Sequence, residues 1–260
     1  MAPTLDTHRV AGRGFAEGGR PAAVGTVMTD YYAENLSGER LRHCYDVAPP
    51  RVRQYLDAEI EHVLSKICLG DAVLELGCGY GRVLGRLVGK ALLTVGIDVS
   101  VPSLTTAEEA LRGYPHAFVA AMDAVALGLP DAAFDVVVCI QNGICAFGVN
   151  PLHLIREAVR VTRPGGSVLL SSYAESFWEE RLEWFELQAA FGLIGEIDPV
   201  RTKNGVIVCQ DGFRAGTFRR EDFDELATSL DFLPIIQEVD ESSLFCELRV
   251  GAPPFPREGD

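Results

Sequence analysis

The chain has 260 residues, 48% of them apolar, which suits one domain with a modest addition. Its 23 Lys and Arg stand against 37 Asp and Glu, a net charge of −14. A nucleic-acid binder needs clustered cations to neutralise phosphates, so the lack of any basic run disfavours DNA and RNA substrates. No apolar run approaches the ~18 residues of a membrane span, and no charged-then-apolar leader opens the sequence. The 7 cysteines are scattered without a C-x-x-C pair, so no zinc site or disulfide framework is indicated and a reduced, cytoplasmic protein is expected.

Residues 1–28, rich in Gly, Ala, Pro and Arg without a period, read as a mobile arm. Over 29–50, Tyr31, Tyr32, Leu36, Leu41 and Tyr45 are set among charges. This segment reads as an amphipathic helix, either packed on the core or closing over a ligand as a cap. Pro49-Pro50 interrupts it, and the spacing of Val52, Tyr55, Leu56, Ile60 and Val63 predicts a helix over 51–67. From Asp71, strand and helix alternate. The pattern predicts strand 72–76, helix 81–88, strand 92–97, helix 102–112, strands 117–121 and 134–140, helix 151–162 and strand 167–173. Such alternation signals a parallel sheet covered on both faces. Ligands of these sheets bind outside the carboxyl ends of the strands, where Glu75, Asp98, Met122, Asp123, Gln141 and Asn142 all fall.

Beyond residue 173 a helix over 175–191 carries both tryptophans, Trp178 and Trp184. Residues 206–209 and 213–218 read as a hairpin around Gln210-Asp211-Gly212. A helix over 220–230 with acids in its first turn follows, then strands 232–239 and 244–250. The segment 175–218 is thus an aromatic insertion, the kind that builds a lid over a rigid sheet. Residues 253–260 read as a tail.

One stretch organises the rest: Val73-Leu74-Glu75-Leu76-Gly77-Cys78-Gly79-Tyr80-Gly81-Arg82. A glycine-rich turn between strand and helix lets the backbone approach a ligand closely. The spacing is G-x-G-x-G, shorter than the dinucleotide fingerprint G-x-G-x-x-G. Glu75 beside the turn is a poor neighbour for pyrophosphate and a good one for an ammonium or sulfonium charge.

Glu75 to Gly81 resembles motif I of class I S-adenosylmethionine-dependent methyltransferases. Gly96-Ile97-Asp98, with its acid about 20 residues after Gly77, resembles the ribose-binding segment. Met122-Asp123 resembles the adenine-flanking pair, Phe134 to Val138 the fourth strand, and Arg163-Pro164-Gly165-Gly166 the turn into the fifth. The resemblance covers about residues 70–175. It implies an α/β, Rossmann-like, seven-stranded sheet, mostly parallel with an antiparallel last strand and helices on both faces. To this the chain adds an N-terminal helical cap and an inserted helix–hairpin lid, within a domain spanning 51–260.

The resemblance also implies roles. Gly77 and Gly79, with Cys78 between them, would let the backbone pass under the methionine portion of S-adenosylmethionine. Glu75 would hold loop amides or the ammonium. Asp98, followed by Val99, would accept from both ribose hydroxyls. Met122 and Asp123 would flank adenine, and Gln141 would line the methyl region. The expected reaction is methyl transfer to a small-molecule acceptor, leaving S-adenosylhomocysteine, by a monomer or homodimer. The alternatives are a protein methyltransferase, a non-catalytic S-adenosylmethionine-binding module and, less favoured, a nicotinamide-dependent oxidoreductase. The N-P-P-Y motif of nucleic-acid amino methyltransferases is replaced by Gln141-Asn142-Gly143-Ile144. No carboxylate cluster suggests a catalytic metal. Tyr173, Tyr45, Tyr32 and His153 are weak candidates for a catalytic base, and catalysis by proximity alone is equally open.

Overall fold

The sheet forms where apolar runs alternate with amphipathic helices. A computed structural model describes Tyr31 and residues 35–251. The expected arm at 1–28, Tyr32 and the tail at 253–260 lie outside the described residues. Helix α1 (Glu39–Asp46) supplies the cap and α2 (Pro50–Lys66) follows it. A proline opens α2, where no N–H partner is needed. Then come β1 (Ala72–Leu76), α3 (Leu84–Leu87), β2 (Leu93–Asp98), α4 (Val101–Ala110), β3 (Ala117–Ala121) and β4 (Phe134–Cys139). The short α5 (Gly143–Ala146), α6 (Pro151–Val161) and β5 (Thr162–Tyr173) complete the parallel part. The insertion contributes α7 (Trp178–Ala190), β6 (Ile207–Val208) and β7 (Arg214–Ala215), and the chain closes with α8 (Arg220–Thr228), β8 (Ile235–Val239) and β9 (Ser243–Arg249).

The main sheet runs β3-β2-β1-β4-β5-β9-β8. Strands β1 to β5 are parallel, and β9 is antiparallel to both of its neighbours. The strand order reverses between β1 and β4, so a crevice opens at the carboxyl ends there. Side chains alternate across β4. Val137 and Cys139 pack with Leu154, Ala158 and Phe223, while Val136 and Val138 pack with Ile60, Val63 and Phe245 on the other face. A further core joins the cap to the insertion: Leu36 and Cys44 pack with Trp184, Phe185 and Phe213.

Four expectations need adjusting. The helix expected over 81–88 is confined to Leu84–Leu87, because Gly81 takes a left-handed φ of 83° and holds the chain in a turn. Arg163 to Gly166 are a bulge within β5 and not a turn ahead of it: Thr162 pairs with Phe134 and Ser167 with Val136, leaving the residues between them without a register partner on β4, while Gly165 and Gly166 bond to Val250. The hairpin strands of the insertion shrink to two residues each, between Gly205 and Gly216. The cap segment is helical at Tyr31 and Asn35 but breaks at residues 36–38 before α1.

Gly96 fixes how the glycine loop meets the sheet. It pairs with Glu75 in the β1–β2 register. A Cβ there would stand 2.8 Å from the Cβ and Sγ of Cys78 and from Leu84. Gly96→Ala is expected to destabilise the protein by about 1–3 kcal/mol, measured by urea unfolding. An unchanged midpoint would contradict this packing.

Candidate active site

At the end of β1 the backbone turns through Gly77 (φ 74°) and Gly79 (φ 51°). The loop is tied to β2 rather than left open. The N–H groups of Gly77 and Cys78 both donate to the Ile97 carbonyl, at 2.8 and 2.9 Å. Gly79 N–H donates to Asp98 Oδ2 at 2.9 Å, and Ser100 N–H to Asp98 Oδ1 at 2.8 Å. A Cβ on Gly77 would lie 2.9 Å from the Phe147 ring, so this position takes only glycine. A pyrophosphate site needs loop amides aimed at the ligand; here three of them are already committed to β2. Burial pushes the Asp98 carboxyl up, against the pull of its backbone hydrogen bonds, and each oxygen keeps lone-pair capacity for a further donor.

Glu75 lies beneath the loop, 4% exposed, and its Oε2 has no hydrogen-bond partner among the described residues. Burial pushes its carboxyl up to about 8, despite the nearby Arg82 guanidinium and a backbone hydrogen bond from Leu84. Arg82 itself lies 4.5 Å over the Tyr45 ring and donates to Gln141 Oε1.

Gln141 and Asn142 follow β4 in successive left-handed conformations, φ 57° and 60°. Such strain persists only where the surroundings enforce it. Gln141 N–H donates to Glu59 Oε2 (2.6 Å) and Ser171 Oγ (2.8 Å). Asn142 donates from Nδ2 to the Gly216 carbonyl (3.1 Å) and accepts at Oδ1 from Ser172 Oγ (2.8 Å). Glu59, on α2, is fully buried, accepts also from the Ser171 and Ser243 hydroxyls, and is pushed by burial up to about 7. Sequence reasoning missed Glu59. Its signal was a lone acid on the apolar face of α2, between Leu56 and Val63.

One cavity joins these strand ends to the lid. Gly77, Gly79, Asp98, Val99, Gln141 and Asn142 form one wall, and Tyr45, Tyr173, Trp184, Phe185 and Phe213 face them. Cap and insertion are stitched together above it. Trp184 Nε1 donates to the Cys44 carbonyl at 2.7 Å, and Arg40 donates to the carbonyls of Leu193 (3.0 Å) and Gly192 (2.7 Å). Tyr31 donates to Asp211 Oδ2 at 2.5 Å and packs its ring on Phe213.

Of the residues expected at the site, Glu75 and Cys78 lie under the loop, off the cavity wall. Met122, whose N–H donates to the Asp98 carbonyl (3.1 Å), and the exposed Asp123, which accepts from Val125 N–H (3.0 Å), also stand outside the wall. His153 lies in the first turn of α6 and does not reach the cavity. Tyr45 and Tyr173 do line it, and burial raises both hydroxyls, which therefore stay protonated and are poor bases. Among the described residues no group of three His, Cys, Asp or Glu is placed to hold a metal ion, and no helix is long and apolar enough to cross a membrane.

Residues 74–170, running from β1 into β5, match the family described as a methyltransferase domain. The chain is 26% identical over 223 residues to the malonyl-acyl-carrier-protein O-methyltransferase of Marinomonas, covering 83% of this chain and 78% of that one. It is 29% identical over 149 residues to 27-O-demethylrifamycin SV methyltransferase of Amycolatopsis mediterranei, covering 54% of this chain and 53% of that enzyme. The chain is a class I S-adenosylmethionine-dependent methyltransferase. Magnesium protoporphyrin IX methyltransferase from Synechocystis, solved with bound S-adenosylhomocysteine, shares the fold of this methyltransferase at a TM-score of 0.57 and 17% identity, covering 85% of this chain and 97% of that one. The nicotinamide alternative is thereby set aside. The methyltransferase's own residues fit the donor: the buried Glu75 carboxyl under the loop, its Oε2 without a partner among the described residues, suits a cationic tail, and three loop amides are spent on β2 and withheld from a pyrophosphate.

Glu75 and Glu59 hold a proton more tightly in the folded methyltransferase than in the unfolded chain, at about 8 and about 7 against 4.5. Their contribution to stability is therefore full below the unfolded value and lost as pH rises through 7 to 8. The melting temperature of the ligand-free enzyme should fall across that window, and Glu75→Gln should flatten the upper part of the fall. An identical pH profile in the variant would contradict the assignment.

Proposed function

We propose that this methyltransferase acts on a small-molecule acceptor held under the joint lid of cap and insertion. The observation that carries this reading is the continuity of one cavity from Gly77 and Asp98 to Trp184, Phe185 and Phe213. A folded protein or nucleic-acid acceptor needs an open approach. Here the bonds Trp184–Cys44, Arg40–Leu193 and Tyr31–Asp211 lie across it. The net charge of −14 argues the same way against nucleic acid. The relative named for demethylrifamycin agrees with an acceptor of this type. Seven free cysteines favour a reducing, cytoplasmic compartment.

In this reading Asp98 accepts from the ribose hydroxyls, Glu75 faces the cationic tail through the Gly77–Gly79 loop, and Met122 and Asp123 flank the adenine. Bound S-adenosylmethionine supplies a methyl group already activated on a sulfonium. The chain's contribution is to orient the acceptor against it and exclude water. Gln141, fixed by Glu59 and Ser171, holds the wall between the two halves of the cavity. Among the described residues none of the candidates is placed as a dedicated base: Tyr45 and Tyr173 stay protonated and His153 lies outside the wall, so in this reading rate comes from positioning.

Asp98→Ala should weaken S-adenosylmethionine binding by roughly 10- to 100-fold, since it removes charge-assisted hydrogen bonds. It should also lower the melting temperature, because the Gly79 and Ser100 amides lose their acceptor. Calorimetric affinity equal to wild type would refute the ribose role. With labelled donor and a cell extract, label should enter low-molecular-weight material; label confined to protein would refute the acceptor class.

A further inference from the structure

The acceptor half of the cavity holds a polar group that the fold leaves unused. The insertion lines it with Trp184, Phe185, Gln188, Phe213 and Ala215. Trp184 and Gln188 are one turn apart on α7 and share a face, with Phe185 beside them. The Trp184 N–H is spent on the Cys44 carbonyl. Across the cavity Asn142 has its amide nitrogen on the Gly216 carbonyl and its oxygen on Ser172. Gln188 is only 4% exposed and lines the cavity, its carboxamide has no side-chain hydrogen bond among the described residues, and its polar atoms keep access to the cavity space. A carboxamide that faces a cavity with its donor and acceptor both unspent is placed to orient a ligand.

We infer that Gln188 is the acceptor-recognition residue. The acceptor it fits carries an uncharged, ring-bearing or apolar body whose end remote from the reacting atom offers a hydroxyl, carbonyl or amide to this carboxamide. The inference rests on the small-molecule reading above. Three observations define the class. The wall around Gln188 is aromatic, which suits a flat or apolar body. The charged side chain on the described wall is Asp98, at the donor end, so a charged group beside Gln188 has no counter-ion. Three of the ring faces around the cavity already carry a guanidinium, that of Tyr45 from Arg82 and those of Tyr173 and Phe185 from Arg181. A site built to bond a polar group discriminates against the analogue that lacks it, because its own buried group is then left unpaired.

The test uses the full chain loaded with S-adenosylhomocysteine. Aromatic compounds of one body and one variable substituent (hydroxyl, carboxamide, methyl, carboxylate or ammonium) are titrated by calorimetry and by melting-temperature shift. Wild type should bind the hydroxyl and carboxamide members roughly five- to tenfold more tightly than the methyl member, with the charged members weakest. Gln188→Met, which keeps the volume, should bind the methyl member as wild type does and lose the preference, with S-adenosylhomocysteine affinity unchanged. Charged members binding best, a preference that survives in Gln188→Met, or no member binding loaded wild type would each overturn the inference. The wild-type ranking stands as a test by itself if the variant fails to fold. Failure of wild type to take up S-adenosylhomocysteine would instead count against the donor site.

Discussion

The Asp98 carboxylate is the contact on which the site depends. One oxygen holds the Gly79 amide and the other the Ser100 amide, so a single side chain joins the glycine loop, the end of β2 and the start of α4. The Ile97 carbonyl takes two more loop amides. This lock accords with the left-handed Gly77 and Gly79 and with the packing of Cys78 on Gly96, which leaves no room for a side chain there. It also decides the chemistry. A loop with three amides spent on its own sheet is poorly placed to cradle a pyrophosphate, and the buried Glu75 and Asp98 carboxyls, whose ionised forms a nearby cation favours, suit a cationic nucleoside.

A second constraint sits on the far side of the strand-order reversal. Glu59 is removed from water by α2 and gathers the Gln141 amide and the Ser171 and Ser243 hydroxyls, drawn from β4, β5 and β9. Those bonds enforce the left-handed pair Gln141-Asn142 that closes the cavity wall. The aromatic lid needs this rigid floor, because cap and insertion hold each other as much as they hold the sheet: Leu36 and Cys44 share a core with Trp184 and Phe213.

Most of the sheet was legible in the sequence because its signals are local. Each strand is an apolar run, and each cofactor-side residue falls where such a run stops. The parts that escaped depend on contacts distant in the chain. The bulge at Arg163 to Gly166 exists because β5 must pair twice with β4 across extra residues. The short α3 reflects the left-handed Gly81, which packs against Ala107 of α4. Glu59 looked like one more acid on a helix until Ser171 and Ser243, over a hundred residues away, supplied its partners. Gln188 was hidden in the same way: α7 reads as aromatic and charged, and only the cavity shows that its carboxamide is left unmet. Of the residues weighed as bases, Tyr45 and Tyr173 do reach the cavity, but burial withholds the protonation state a base requires.

The central claim is that the carboxyl ends of β1 and β2 hold an adenosine with a cationic tail. A crystal structure with S-adenosylhomocysteine tests it most directly. The account predicts both ribose hydroxyls within hydrogen-bond distance of Asp98 and the amino group on the Glu75 side of the Gly77–Gly79 loop. Strand ends left vacant at saturating ligand, or a nucleoside bound away from Asp98, would contradict it.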